Sequence, residues 1–290
     1  MKKRIVGLFM VLALALGIAG VSGVQKSVAA GTVKHSVVLF AGEKYPQSIE
    51  KGKIKKIKSS NKAVVKTKKD SANLFTIVAK KAGSAVVTVK TSKGKHIYNV
   101  SVEDVNFRVS QESLYVLQSF TGSKFNSKMT FKVENKTKIH IGSATVKYTL
   151  TDTKGVDVET GSFIVNSMVP GGTAYYSVDY TMQDTALASS KAEVISWMRD
   201  PNVVCTDQSS KIDVKQDASD KSVFTIKNNA DTDVAGNADI LFRDGQGAVI
   251  YMECASFFFS AGEDTKYTLS YLPSSYAKVD ISVRAASTVQ

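Results

Sequence analysis

Apolar and polar residues alternate most regularly between residues 59 and 102. Val87 and Val89 alternate with Thr88 and Lys90, and Tyr98, Val100 and Val102 alternate with Asn99 and Ser101. A period of two sends successive side chains to opposite faces, so both runs are predicted strands with one buried face. Upstream, residues 37–40 form a predicted first strand turned by Ala41-Gly42-Glu43; Ile54, Ile57 and Val64-Val65 follow, then a run over 74–79. Gly83 and Gly94 break the pattern where turns are needed. The nearest thing to a helix is 185–191, TALASSK, read as a loop or a single turn. Short β-branched runs and four prolines in 290 residues predict an all-β protein.

The stretch from 59 to 102 resembles the bacterial Ig-like group 2 domain. The matching residues are Ser59-Ser60-Asn61 with Ala63-Val64-Val65, the run from Ile77 through Lys80-Lys81-Ala82-Gly83 to Ala85, then Val87-Thr88-Val89, and a closing Gly94-Lys95 with Tyr98, Val100 and Val102. That family often carries an aromatic just before the serine pair; Ile57-Lys58 stands there instead. The resemblance implies a β-sandwich over 31–103, used as a spacer or adhesive module on bacterial surfaces. It transfers no catalytic residue.

The remainder contains a duplication. Phe131 to Asn135 (FKVEN) matches Phe224 to Asn228 (FTIKN), Asp152-Thr-Lys-Gly155 matches Asp244-Gly-Gln-Gly247, Pro170-Gly171 matches Ala261-Gly262, and Tyr176, Val178 and Tyr180 match Tyr267, Leu269 and Tyr271. These pairs predict two copies of one domain, at 104–200 and 201–290. In each, Leu150 or Phe242 precedes an Asp-x-x-Gly turn, where aspartate caps backbone and glycine takes positive φ. This layout resembles the FxLYD-type domains of secreted bacterial proteins. The expected architecture is therefore three consecutive Ig-like β-sandwich domains after a cleaved signal peptide.

Lys2-Lys3-Arg4, an uncharged apolar core over 5–19 and the small residues Val28-Ala29-Ala30 have the order of a secretory signal peptide. Residues 1–30 are expected to be removed, leaving a secreted, extracellular chain. The rival reading is a retained anchor, since residues 5–24 carry no charge and are long enough to span a bilayer. No second long apolar segment occurs, so no transmembrane domain is expected in the mature chain.

Charge is unevenly spread. Residues 31–103 hold 16 lysines against Glu43, Glu50, Asp70 and Glu103, whereas 104–290 are slightly acidic. A basic exported domain attracts polyanions in a salt-sensitive way. Lys51, Lys53, Lys55, Lys56 and Lys58 are the candidate contacts to an anionic cell-wall polymer or glycan; the alternative is that scattered lysines only solubilise the domain and blunt its edges. Nucleic acid is not an expected partner.

Catalytic chemistry has no local signature. His35, His96 and His140 sit apart from carboxylates and cysteines, and no metalloprotease, nucleophile-elbow or phosphate-loop motif occurs. No metal, cofactor or catalytic residue is assigned. The oxygen-rich run from Asn228 to Asp239 fits turns better than a calcium loop. Cys205 and Cys254 are either a disulfide of the third domain or two free thiols; Ser162 stands where the first copy would match Cys254. Phe257-Phe258-Phe259 cannot all face one core, so part of this run is a candidate face for a protein partner, unless a neighbouring loop or domain covers it. Trp197 reads as core. Three functions follow: a surface binding or spacing protein, a soluble accessory subunit of another exported protein, or a hydrolase with a dispersed site.

Overall fold

A computed structural model describes residues 31–119, 122–199 and 203–289. The signal segment, 1–30, lies outside the described residues. Among the described residues, all regular structure is β apart from one 3₁₀ turn at Ser209–Lys211. No helix among the described residues is long and apolar enough to cross a membrane.

The first sandwich contains β1 (Thr32–Phe40), β2 (Lys44–Ser48), β3 (Ile54–Ser59), β4 (Val65–Lys69), β5 (Leu74–Ala79), β6 (Gly83–Thr91) and β7 (Lys95–Glu103). The larger sheet runs β1-β7-β6-β3 and the smaller β2-β5-β4. β1 lies parallel to β7; the other pairs are antiparallel. Their alternating apolar residues meet between the sheets, with Leu39, Phe75, Ile77, Val87, Val89 and Tyr98 buried. Pro46 is tolerated because β2 is an edge strand, where a missing N–H breaks no ladder on its open side. Gly83 takes φ +138°, and a Cβ there would sit 2.9 Å from Val64 Cγ2.

The second sandwich contains β8 (Phe107–Gln118), β9 (Lys124–Asn135), β10 (Ile141–Asp152), β11 (Asp157–Met168), β12 (Thr173–Gln183) and β13 (Leu187–Met198), in sheets β12-β9-β8 and β11-β10-β13. The third contains β14 (Val204–Asp207), β15 (Ile212–Gln216), β16 (Val223–Asn228), β17 (Val234–Arg243), β18 (Val249–Phe259), β19 (Asp264–Thr268) and β20 (Lys278–Val289), in sheets β15-β16-β19 and β14-β20-β17-β18. With β14 set aside, the two strand orders superimpose. β13 overturns the loop reading of 185–191: Leu187 is buried and opens a twelve-residue strand. Tertiary pairing with β10 outweighs the helix-compatible local composition.

The duplicated motifs perform the same tasks in both copies. Asp152 Oδ1 accepts the Lys154 and Val156 N–H groups at 2.9 and 2.8 Å, and Gly155 takes φ +80°. Asp244 Oδ1 accepts those of Gln246 and Ala248 at 3.0 and 2.8 Å, and Gly247 takes φ +86°. The asparagine ending FKVEN and FTIKN is fully buried in each copy. Asn135 Nδ2 donates to the carbonyls of Ile139, Met168 and Val169 at 2.9, 2.8 and 3.1 Å, and its Oδ1 accepts the Thr137 N–H at 2.9 Å. Asn228 donates to Thr232 and Ser260 carbonyls, both at 2.9 Å, and accepts the Ala230 N–H at 2.9 Å. Each asparagine ties two loops at one end of its sandwich.

Candidate polyanion-binding face

Strand pairing gathers lysines on the outer face of the larger sheet of the first sandwich. Lys56 of β3 lies opposite Lys90 of β6, which lies opposite Lys95 of β7. Directly opposed residues share a face, with Cα atoms about 4.5–5.5 Å apart. Three ammonium groups thus rise from a row about 10 Å long. Two residues along, a second row runs Lys58, Thr88, Ile97 and Lys34. The alternate residues Ile57, Val87 and Val89 point inward and hold the face in place.

Like charges placed directly opposite one another weaken a sheet. Here they are not neutralised from within. The ion pairs of this sandwich are Lys68 with Asp70 at 3.2 Å and Glu43 with Arg199 at 2.5 Å, and among the described residues none of Lys34, Lys56, Lys58, Lys90 and Lys95 has a carboxylate partner. A multivalent anion lying across the three strands would neutralise the row.

The five predicted lysines divide. Lys56 and Lys58 lie on this face. Lys51 and Lys53 belong to the exposed β2–β3 loop, and Lys55 falls at a register shift between Ile54 and Lys56. Lys34, Lys90 and Lys95 complete the face and escape a purely linear reading. The usable signal for Lys90 was its alternation with Val87 and Val89; its partners are set by long-range pairing.

His35 and His96 face inward at one end of the same sheet. Their Nε2 and Nδ1 atoms are 3.3 Å apart, and the His35 ring stacks on Tyr98 with centroids 4.2 Å apart. Burial holds His96 below the usual imidazole range, partly opposed by Glu50. Its folded pKa is depressed, so the unfolded chain takes up the proton first on acidification. Stability of the first sandwich is therefore expected to fall as pH drops through about 6.5, and to level off once His96 also protonates in the fold. Hydrogen exchange of β7 amides at neutral and mildly acidic pH would show the loss, and His96→Gln should flatten it.

Charged groups also join the sandwiches. Arg199 Nε donates to Glu43 Oε1 at 2.5 Å, its Nη2 donates to Glu43 Oε2 at 2.9 Å and to the Val38 carbonyl at 2.8 Å, and its guanidinium lies 5.0 Å from the Phe40 ring. Phe40 in turn meets Trp197 edge-on at 5.4 Å. Between the repeats, Arg284 is ion-paired with Asp239 through both guanidinium Nη atoms, and the two side chains are 3% and 0% exposed. Arg284 also donates to the Thr173 carbonyl at 2.9 Å, while Asp239 Oδ2 accepts the Tyr175 N–H at 2.8 Å. Arg243 bridges Glu112 at 2.8 Å and Asp280 at 2.6 Å. These residues were missed because each partner lies tens of residues away in sequence.

In the triple phenylalanine, Phe257 and Phe259 turn inward and stack on one another at 5.1 Å, whereas Phe258 points out and is 70% exposed. The candidate partner face therefore narrows to one ring. The disulfide alternative is corrected: Cys205 and Cys254 are free thiols. Cys205 lies opposite Thr288, and Cys254 lies opposite Asp239, which faces Ser282. Three strand spacings and six residues of β20 separate them, about 14 Å by 20 Å. A disulfide requires Cα atoms within about 7 Å. Burial raises the pKa of the half-buried Cys205 thiol, whereas Cys254 is exposed at the surface. The oxygen-rich run splits between Asn228, committed to its loop, and Asp239, committed to Arg284.

The molecule is thus a tandem of two-sheet β-sandwiches with an unneutralised basic face. A scan of protein-family models finds no match to the chain, and a search of curated proteins finds none either.

Proposed function

We propose that this is a secreted, non-catalytic cell-surface protein whose first sandwich holds it to anionic cell-wall polymer through its basic face. The observation that carries this reading is the Lys56–Lys90–Lys95 row, flanked by Lys58 and Lys34 and lacking internal carboxylate partners. A regularly charged polyanion can span the row and exchange counterions for several lysines at once. The signal-like order of residues 1–30 supports an extracellular setting. The paired repeats then act as the working end, presenting their surfaces to a protein or glycan.

The test is co-sedimentation of the protein with purified cell walls from about 0.1 M to about 1 M salt, over which the screening length falls from about 10 Å to about 3 Å. Pelleting at low salt, release at high salt and loss of pelleting in Lys56→Gln/Lys90→Gln/Lys95→Gln are expected. A Lys44→Gln/Lys66→Gln control, altered on the smaller sheet, should still pellet. Equal pelleting of the triple variant would refute the face. A second reading, an accessory subunit of another exported protein, draws on Phe258; a salt-resistant complex lost in Phe258→Ser would favour it.

A further inference from the structure

We propose that the cleft between the two repeats binds a segment of uncharged glycan, with the Asn237 side-chain amide as the donor on its floor. The inference rests on the reading of the repeats as the working end and gives that end a site. The cleft has a volume of about 430 Å³, within the range of about 300–1,000 Å³ usual for small-ligand sites, which gather at domain interfaces. Its floor is the outer face of the sheet formed by β18, β17 and β20, where Ser256, Asn237 and Arg284 stand opposite one another in a row. Its wall comes from the second sandwich, with Ile164 of β11 and Tyr176 of β12.

The floor holds an uncommitted donor. Asn237 is 7% exposed, and its Oδ1 accepts the Ser256 hydroxyl at 2.8 Å. Its Nδ2 donates to no group among the described residues, although every fully enclosed side-chain nitrogen or oxygen among them has a partner. The amide is therefore open to whatever fills the cleft that Asn237 lines. The other two buried asparagines, Asn135 and Asn228, spend their amides on loop carbonyls. An asparagine amide can donate two hydrogen bonds. At Asn237 both are left for a ligand.

The lining selects the ligand class. Charge within the cleft cancels: Lys128 pairs with Asp179 at 2.5 Å, and Arg284 pairs with Asp239. A polyanion finds no spare cation there, in contrast to the lysine face. β17, the middle of the floor, is bonded to β18 on one side and β20 on the other, so an added peptide strand finds no main-chain ladder on it. The wall is apolar. Tyr176 lays one ring face on Phe163, with centroids 4.2 Å apart and planes within 7°, and keeps 38% of its surface exposed for a ligand. Ile164, next in the chain to Phe163, is 60% exposed. A sugar ring matches both surfaces. Its hydroxyls accept from Asn237 and exchange bonds with Ser256, and its C–H face suits the electron-rich face of a tyrosine ring.

The probes are cellotetraose, which offers hydroxyls alone, and the tetramer of N-acetylglucosamine, which adds amide carbonyls. Each is titrated into the whole protein and followed by calorimetry and by the side-chain amide resonance of Asn237. Saturable binding of at least one, with movement of that resonance, is expected. Asn237→Asp keeps the acceptor for Ser256 and loses the donor, so it should bind at least about tenfold more weakly, the worth of one or two lost hydrogen bonds. Ser256→Trp, at an exposed position, should fill the cleft and abolish binding. Affinity should be equal at about 0.1 M and about 1 M salt, because the site carries no net charge. No saturation by either tetramer up to about 10 mM overturns the proposal. Unchanged binding in Asn237→Asp or in Ser256→Trp overturns it too, as does binding that disappears at high salt. Ser256→Trp keeps the test decisive should Asn237→Asp fail to fold. The same variant should still pellet with cell walls at low salt; loss of pelleting there would support the cleft and refute the lysine face, so the two readings fail separately.

Discussion

Replacing Asp239 with alanine is expected to lower the stability of the third sandwich by about 3–5 kcal/mol, because it strands the Arg284 guanidinium in a site closed to water. For a domain of this size that corresponds to a fall in Tm on the order of 15–30 °C. The loss extends beyond one sandwich. Asp239 and Arg284 both bond the second sandwich, through the Tyr175 N–H and the Thr173 carbonyl, so the variant should also undock the repeats. Calorimetry would resolve the early transition, and exchange of the Tyr175 amide would report undocking. The double variant Asp239→Leu/Arg284→Met removes both charges and should recover most of the thermal stability, since a buried pair adds little over apolar residues of similar volume. Recovery without protection of the Tyr175 amide would identify the pair as a device for orientation rather than for stability. An Asp239→Ala variant within about 1 kcal/mol of the parent would rule out a closed site.

Asn135→Ala is the second large expected effect, about 3–4 kcal/mol in the second sandwich. The side chain serves three carbonyls and the Thr137 N–H from a fully buried position. Each buried group left unsatisfied costs about 1–3 kcal/mol, reduced where water can enter the loop. Asn135→Asp should be no better, because it turns an oxygen toward carbonyls that need a donor. The matched variant Asn228→Ala removes two carbonyl partners and one N–H, so its cost should be smaller. Chemical denaturation followed separately for each sandwich would test the order. The reverse order would show that loop context outweighs the count of bonds.

The sequence carried the fold class and the local turn chemistry well. Alternation at Val87 and Val89, and at Tyr98, Val100 and Val102, marks inward faces because the pleat enforces a period of two whatever the partner strand. Asp152 and Asp244 were legible as turn caps because their bonds close within four residues. The Tyr-x-Leu-x-Tyr match was only half informative: β19 ends at Thr268, leaving Tyr271 outside the strand and exposed. Residues 185–191 misled for the opposite reason, being strand by virtue of β10 rather than of their own composition. The candidate face was partly visible, since basicity pointed to the first sandwich and to Lys56 and Lys58. Lys90 and Lys95 joined them through register, a property of strand pairs separated by tens of residues. Arg199, Glu43, Asp239 and Arg284 were invisible for the same reason.

The parallel alignment of β1 with β7 has a mechanical consequence. Thr32 lies beside Lys95 and Phe40 beside Glu103, so the chain enters this pair at one end and leaves it at the other. A pull applied at the start of β1 and at the end of β7 would draw the two strands past one another. All nine facing pairs would then bear load together, in shear, and would have to fail together. In the third sandwich β14 is antiparallel to β20, with Val204 beside Val289. A pull on those two ends would peel the strands apart one pair at a time. Under force the first sandwich is thus the stiff link of the chain, and the edge covered by β14 is the place where it gives way.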